Sequence, residues 1–288
     1  MVLSSSQLEA FLCVAQTLNF TKAAELLNIT QSALSQRVMN LERELETTLF
    51  IRDRAGLRLT EAAHELVRYC RCKNSLEEEF LSRLKGANDG GVIRVGGFSS
   101  VMQSVILPCL APLIGLSDQL KFQMIIDEMG RLPGRLHNGE IDYMILDHRQ
   151  QREGLERVLL GHERNVLIQR KKYRGPDIYL DHDEDDTVSR DYLRLAGKRG
   201  KTIERRYLQN VYGLIDGVRL GMGRAVVPKH LIHSQSDFEA IEPSVVLEIP
   251  VYLYFFTQPY YSKLHAKIVE AITSQAAKFL AIGEKGGN

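Results

Sequence analysis

The run NFTKAAELLNITQSALSQRVMNLEREL, from Asn19 to Leu45, constrains this chain more than any other stretch: it reads as two helices with a tight turn between them. Thr21 is placed to cap the first helix, with Lys22, Ala23, Ala24 and Glu25 as its opening turn, because a side-chain oxygen there satisfies free backbone amides. Ala23, Leu26 and Leu27 are its apolar positions. Asn28 falls where a left-handed residue is wanted, a conformation Asn tolerates better than most, and Thr30 can cap the second helix. In that second helix Leu34, Val38, Leu41 and Leu45 share one stripe at helical spacing. The small Ala24 leaves room for the two helices to cross closely.

The other side of the second helix carries Ser32, Gln36, Asn40 and Arg43, flanked by Ser35 and Arg37. Short hydrogen-bonding side chains near such a helix's N-terminus suit a DNA major groove, where Ser and Gln reach base edges and Arg and Lys reach phosphates. An ordinary amphipathic hairpin would show the same stripe, and the next residues separate the two. Phe50–Thr60, FIRDRAGLRLT, reads as two short strands turning at Gly56 and carries Arg52, Arg54 and Arg58. A hairpin of that kind lays arginines along a DNA backbone or into a minor groove.

On SQLEAFLCVAQTLNFTKAAELLNITQSALSQRVMNLERELETTLFIRD and LRLTEAA, the chain resembles the LysR-type transcriptional regulators, densely over residues 6–62 and more loosely over nearly its whole length. It departs from the family's usual glycines at Glu46 and Ala63, both of which bound helices. The resemblance implies an N-terminal all-α winged helix-turn-helix domain (1–60) and a long linker helix that pairs two subunits (61–87). It implies a C-terminal α/β effector domain (88–288), two-lobed like the type II periplasmic binding proteins. It also implies binding to double-stranded DNA at an interrupted palindrome by a homodimer, assembled further into a homotetramer, with RNA polymerase as a candidate partner. Gln31, Ser32, Ser35 and Gln36 are then assigned to base readout, and Lys22, Arg37, Arg52 and Arg54 to phosphate or minor-groove contact.

Charge alone does not advertise nucleic acid. The net charge is +1 over 288 residues. Within 1–60, Lys22, Arg37, Arg43, Arg52, Arg54 and Arg58 are balanced by Glu9, Glu25, Glu42, Glu44, Glu46 and Asp53. DNA binding must come from charge placement, with few phosphates neutralised and a shallow salt dependence. A hydrophobic content of 44% and a charged content of 25% are those of a soluble globular chain. No segment reaches a membrane span and MVLSSSQLEAF lacks the pattern of a secretory leader, so a cytoplasmic location and no membrane partner are expected. Cys13, Cys70, Cys72 and Cys109 are too few and too badly spaced for a disulfide framework or a zinc site. Buried structural thiols are expected, with a redox-responsive regulator using Cys109 as the alternative.

Along the chain, Ser6 to Thr17 is the first helix, with Leu8, Phe11, Leu12 and Ala15 facing the core. From Thr60 to about Lys85 there is no Gly or Pro, so one helix of about 40 Å is expected at about 1.5 Å per residue, with Thr60 as cap and Glu61 in the first turn. Ala62, Leu66, Tyr69, Leu76 and Phe80 form an interrupted heptad-like stripe. A lone helix cannot bury it in a small domain, so Leu66, Tyr69, Leu76 and Phe80 are assigned to pairing with a second copy; a solvated spacer is the alternative.

Gly86–Gly91 marks a flexible domain boundary. Beyond it, strands at 92–98, 121–127 and 141–146 alternate with helices from Ser99 to about Ile114 and from Leu132 to Asn138, the pattern of a parallel sheet flanked by helices. A second set follows, with strands at ERVLLG, NVLIQR and DIYLD, helices at about 187–196 and 210–220, a strand after the Gly221–Gly223 turn, a strand at 250–256 and a closing helix at about 261–281. The lobes are then about 92–161 with 257–283, and 162–256. GEKGGN at the end is expected to be disordered.

In two-lobed folds a ligand lies in the crevice, beyond strand ends and at helix N-termini. Ser99 and Ser100 stand where the first strand meets a helix and can bind a ligand or cap that helix; the resemblance favours the effector. Asp147 faces the same crevice, and Thr187 and Tyr212 are candidates from the second lobe. Asp181–Asp186, DHDEDD, imitates a calcium loop but has Asp186 where glycine is required and Tyr192 where glutamate is required, so a solvated acidic turn is expected. His230 and His233 have helical spacing but no third ligand and are expected at the surface. No metal, cofactor or catalytic residue is assigned, because no serine–histidine–acid order, phosphate loop or dinucleotide fingerprint stands out. The expected protein is a regulator under control of a small-molecule effector of unknown identity and not an enzyme; a cytoplasmic solute-binding protein is the remoter alternative.

Overall fold

A computed structural model describes residues 3–53, 56–84, 91–116, 118, 120–198, 200 and 202–282. Arg54, the joint at 86–90 and the GEKGGN terminus lie outside the described residues.

The N-terminal unit comprises α1 (Ser5–Thr17), α2 (Phe20–Leu26), α3 (Gln31–Glu44), a wing of β1 (Phe50–Asp53) and β2 (Gly56–Leu59), and the long helix α4 (Glu61–Leu84). The cap of α2 is Asn19, not Thr21: its extended backbone lets Oδ1 accept from the amides of Thr21 and Lys22 at 2.9 and 3.1 Å. Thr30 caps α3 by accepting from the Ala33 amide, and Asn28 is left-handed at φ +51°. Ala10, Val14, Ala23, Ala24, Leu34 and Val38 close one small core, with Ala23 and Ala24 of α2 buried against α3. A second core joins Leu8, Phe11, Leu41 and Leu49 to Ala63, Leu66, Val67 and Cys70 of α4.

The wing is fastened to α3 rather than left projecting. Glu42 accepts from the Leu49 and Phe50 amides at 2.7 and 3.2 Å, and the Phe50 ring meets Phe11 and Phe20 at centroid distances of 5.6 and 5.8 Å. Gly56, at φ +116°, supplies the backbone its turn requires. One assignment on α4 is corrected. Leu66, expected to pair subunits, is buried in its own domain, while Leu76 and Phe80 are 53% and 60% exposed, together with Tyr69 and Leu81.

The C-terminal domain opens with β3 (Gly91–Gly97), α5 (Ser99–Val101), a π-helical turn (Met102–Ile106), α6 (Leu107–Ile114), β4 (Leu120–Ile126), α7 (Leu132–His137) and β5 (Tyr143–Leu146). It continues with β6 (Leu155–Arg170), β7 (Ile178–Asp181), α8 (Val188–Leu195), β8 (Glu204–Tyr207), α9 (Val211–Arg219), β9 (Arg224–Pro228), α10 (Lys229–Ile232), β10 (Phe238–Ala240), β11 (Leu247–Phe256) and α11 (Lys263–Leu280). One sheet runs in the order β4-β3-β5-β11-β6-β9-β7-β8, with β10 on β6.

Its two ends are parallel, and the antiparallel ribbon of β6 and β11 joins them. The two strands expected at 156–161 and 165–170 are therefore one. The polar HERN between them is strand interior, and the ladder absorbs a register shift opposite Gly161, between Val251 and Tyr252. β11 meets β5 of the first lobe through Tyr252–Tyr254, so the second crossing falls inside a strand. Each lobe keeps its own core, one around Ile93, Val105, Leu253 and Ile272, the other around Val166, Leu180, Ile215 and Val227.

Two polar clusters organise the rest. Helix α4 docks on the first lobe: His64 stacks on His137 at 3.5 Å, Arg68 lies over the Phe256 ring at 4.8 Å, and Arg71 donates to the Asn138 carbonyl at 3.3 Å. The acidic run is more than a solvated turn. Asp181 is buried, accepts from Ser189 and pairs with Arg205, whose guanidinium also donates to the carbonyls of Asp183, Glu184 and Asp186. The loop folds around an arginine. Among the described residues no group of three His, Cys, Asp or Glu side chains could hold a metal ion, and no helix is long and apolar enough to cross a membrane.

Candidate DNA-binding face and effector crevice

The stripe Leu34, Val38 and Leu41 anchors α3 in the head and leaves its other side in solvent. Gln31, Ser32 and Gln36 are exposed there, with Ser35 and Arg37 half-buried. Gln36 Nε2 donates to the side-chain Oδ1 of Asn40 at 2.9 Å, and the Thr30 and Ser32 hydroxyls lie 3.0 Å apart. A cleft of about 420 Å³ opens between the start of α2, the first residue of α3 and the wing, lined by Asn19, Thr21, Gln31, Arg52 and Gly56 among others. Its polar walls and the Arg52 guanidinium suit an anionic group entering between α3 and the wing. Lys22 is exposed beside it on the first turn of α2.

The second candidate region lies between the lobes. Ser99 and Ser100 do not cap α5; Phe98 occupies that position and no side chain bonds the free amides. Ser100 is 5% exposed, its hydroxyl on the carboxyl of Glu163 and its carbonyl accepting from Ser104 at 2.5 Å. The π turn brings Ser104 round to within 3.4 Å of His230 Nε2 on the other lobe, and wide turns of this kind recur at functional positions. His230, expected at the surface, is 6% exposed because α10 lies against β6. Its Nε2 is 3.2 Å from Glu163 Oε1, and neither that oxygen nor His230 Nδ1 has a hydrogen-bond partner.

Burial decides the protonation here. It pushes the Glu163 carboxyl up to about 8, helped by the Asp147 charge and opposed by the Ser100 hydroxyl. Burial, and then the charge of His233, hold His230 down to about 4. Near neutral pH this close acid–imidazole contact is uncharged on both sides. Tyr212 is half-buried on α9, its hydroxyl pushed up by burial and then by Glu163.

The structure thus gathers Ser100, Asp147 and Tyr212 around Glu163, with Ser99 one residue away. Thr187 stands apart, exposed, its hydroxyl on Asp191 of its own helix at 2.7 Å. Glu163 and Ser104 were missed by sequence reasoning, and His230 was placed at the surface. A signal for Glu163 existed in its lone acid between two apolar half-strands. The spacing of His230 and His233 drew attention to His230, but nothing local showed that it is buried.

The cysteines offer little chemistry. Cys70 and Cys109 are buried, and burial pushes both thiols up to about 11, far from the thiolate that reacts with oxidants.

Comparison with known proteins agrees with this architecture. A family model described as "Bacterial regulatory helix-turn-helix protein, lysR family" matches residues 5–64, and one described as "LysR substrate binding domain" matches residues 86–277. The HTH-type transcriptional regulator HdfR of Yersinia enterocolitica is 30% identical over 155 residues, covering 54% of this chain and 53% of that protein. HdfR of Yersinia pestis is 31% identical over 159 residues, with the same coverage. The chain thus spans about half the length of the curated relatives it matches.

Two solved structures share the fold over 96% of this chain and 98% of their own. ArgP from Mycobacterium tuberculosis does so at a TM-score of 0.79 and 21% identity. Full-length LysG from Corynebacterium glutamicum with bound effector Arg does so at 0.75 and 18%. A family model covering two-thirds of the chain, on a head and a two-lobed domain built as described, settles the grouping: the chain belongs to the lysR family of bacterial regulatory helix-turn-helix proteins.

Proposed function

We propose that this chain is a sequence-specific DNA-binding transcription regulator whose activity is set by a small molecule held between the lobes. The observation that carries it is the pairing of two features in one chain, an α3 whose polar side is exposed beside an arginine-bearing wing, and a cluster of buried polar groups, Ser100, Glu163 and His230, drawn from both lobes. Gln31, Ser32, Ser35 and Gln36 are assigned to base edges, and Lys22, Arg37, Arg52 and Arg54 to phosphates or the minor groove. Ser99, Ser100, Asp147 and Tyr212 face the effector, with Thr187 the weakest member of that set.

The exposed Tyr69, Leu76 and Phe80 on α4 support pairing of two copies, which sets two α3 helices in successive major grooves of an interrupted palindrome. Homotetramers and contact with RNA polymerase belong to the same proposal. Its DNA target places the protein in the cytoplasm. Turnover is no part of this function.

The test is a mobility-shift titration of the full chain on DNA upstream of its own gene. Gln36→Ala should weaken specific binding by about 1–3 kcal/mol and leave binding to unrelated DNA unchanged, whereas Arg52→Ala should weaken both. Equal loss on all sequences for both variants would refute the assignment of α3 to readout.

A further inference from the structure

Buried acids in the middle of a strand are rare unless something answers them. Glu163 sits there, 4% exposed, on the ribbon strand that joins the lobes. Among the described residues no lysine or arginine pairs with it; Ser100 from the first lobe and His230 from the second touch it, while Asp147 beyond β5, whose carboxylate lies 2.6 Å from His148 Nδ1, and Tyr212 of the second lobe interact with it through charge. Two of these five side chains are acids, and none is a fixed cation. One carboxyl oxygen and one imidazole nitrogen, both buried, have no partner.

We propose that the crevice takes an effector bearing a cationic nitrogen, a protonated amine or a guanidinium, seated on the Glu163 carboxylate between Ser100 of one lobe and His230 of the other. The assignment rests on the crevice being the effector site and names the chemistry it selects. An effector held by its own carboxylate would meet Glu163 and Asp147, both of which repel it once ionised. A cation supplies what is missing. It satisfies Oε1 with a charge-assisted hydrogen bond, and a neutral His230 can accept a second donor from it. Ligands that touch residues of both lobes at once shift the lobe arrangement, because the open form offers only part of those contacts.

The protons balance simply. Unoccupied Glu163 is a neutral acid near pH 7, given its raised pKa of about 8. A bound cation favours the carboxylate, so each binding event exchanges one proton for one ligand charge. Proton release should be about 0.9 per ligand near pH 7 and about 0.2 near pH 8.5, where the carboxyl is already ionised.

The experiment is calorimetric titration of the full chain at these two pH values, in buffers of different ionisation heat. The cations are L-lysine, L-arginine, agmatine and ethanolamine; the counterparts are benzoate, succinate and glucose. The expected result is saturable binding of a cation with that proton release, weakened by about 30-fold or more in Glu163→Gln, because one partner of a buried charged contact is lost. Failure of every cation to bind at about 10 mM, the weak end of useful affinity, overturns the assignment. So does binding without proton release, which is read on the unaltered chain and does not depend on the variant folding, or equal affinity in a folded Glu163→Gln. Benzoate, succinate or glucose changing the operator footprint while all cations stay silent overturns the cation and leaves the effector crevice standing. A cation that binds with proton release but never alters DNA binding supports the site chemistry and refutes the regulatory reading.

Discussion

Glu46 holds a backbone conformation that side chains avoid. It follows Leu45 at the end of α3 with φ +50°, where its amide bonds the Arg43 carbonyl at 3.2 Å and the Thr47 amide bonds the Glu42 carbonyl at 3.0 Å. The turn is needed, because it reverses the chain from α3 into the wing. Left-handed backbone costs a non-glycine residue about 1–2 kcal/mol through the clash of Cβ with the carbonyl. Glycine there removes that cost, while its freer unfolded chain offsets roughly 0.5–1 kcal/mol. Glu46→Gly should therefore stabilise the head by about 1 kcal/mol.

Glu46→Ala keeps the Cβ and changes only an exposed carboxylate at a helix C-terminus, a matter of a few tenths. Asn should fall between the two, as the side chain that tolerates this conformation best after Gly. Because a chain of several domains has no single melting free energy, the readout is native-state hydrogen exchange of the Val38 and Leu41 amides in the full chain. These should slow about fivefold in Glu46→Gly and hold within about twofold in Glu46→Ala. Equal effects of Gly and Ala, or faster exchange with Gly, would refute the reasoning, since the gain would then not come from the backbone.

Asn19→Ala removes the two cap bonds of α2 and should destabilise the head by about 1 kcal/mol, read as faster exchange at Ala23 and Ala24 and weaker operator binding. Gly139, at φ +63°, has the Arg71 guanidinium where a Cβ would stand. Gly139→Ala should expel that side chain and speed exchange along the middle of α4, and in an Arg71→Ala background only the left-handed backbone cost of about 1–2 kcal/mol should remain. The crevice has two opposed pH responses. Glu163 carries its extra proton when folded between its ordinary 4.5 and about 8, so its contribution to stability falls as pH rises through that window, whereas the neutral His230 is lost as pH falls from 6.5 toward 4. The melting temperature of Glu163→Gln should thus gain on the unaltered chain from pH 5 to 8.5, and a constant gap would refute the burial argument. Finally, Cys109 should resist iodoacetamide at pH 8 in the native chain and react on unfolding; rapid native labelling would revive the redox alternative.

What the sequence made legible was whatever repeats along a helix or ends one. The α3 stripe, the Asn28 turn, the Thr30 and Thr60 caps and the wing turn at Gly56 are decided within a few residues, so local chemistry suffices. Asn19 was passed over for Thr21 because both are good caps and only the extended backbone at Asn19 separates them. HERN was read as a break between strands because polar residues in a row normally face water. Here the long ribbon buries Glu163 and Asn165 between lobes that lie far apart in sequence. His230 and Ser104 meet across 126 positions, through a π turn no propensity signals. Leu66 was assigned to a partner because its stripe was counted without its own head, whose core runs along α4 as far as Cys70, about three turns beyond the winged domain's expected boundary.

The ribbon of β6 and β11 has a mechanical consequence. Two lobes tied by flexible loops can swing as on a door hinge at almost no elastic cost. Lobes that share a continuous ladder can reorient only by twisting it, so every departure from the resting angle strains backbone hydrogen bonds and is returned like torque from a torsion bar. The softest point of that bar is the register shift beside Gly161, and Glu163 sits two residues beyond it. A few ångströms of side-chain displacement at that carboxyl therefore act on a lever at its pivot, and the domain is built to answer with small, graded rotations instead of wide opening.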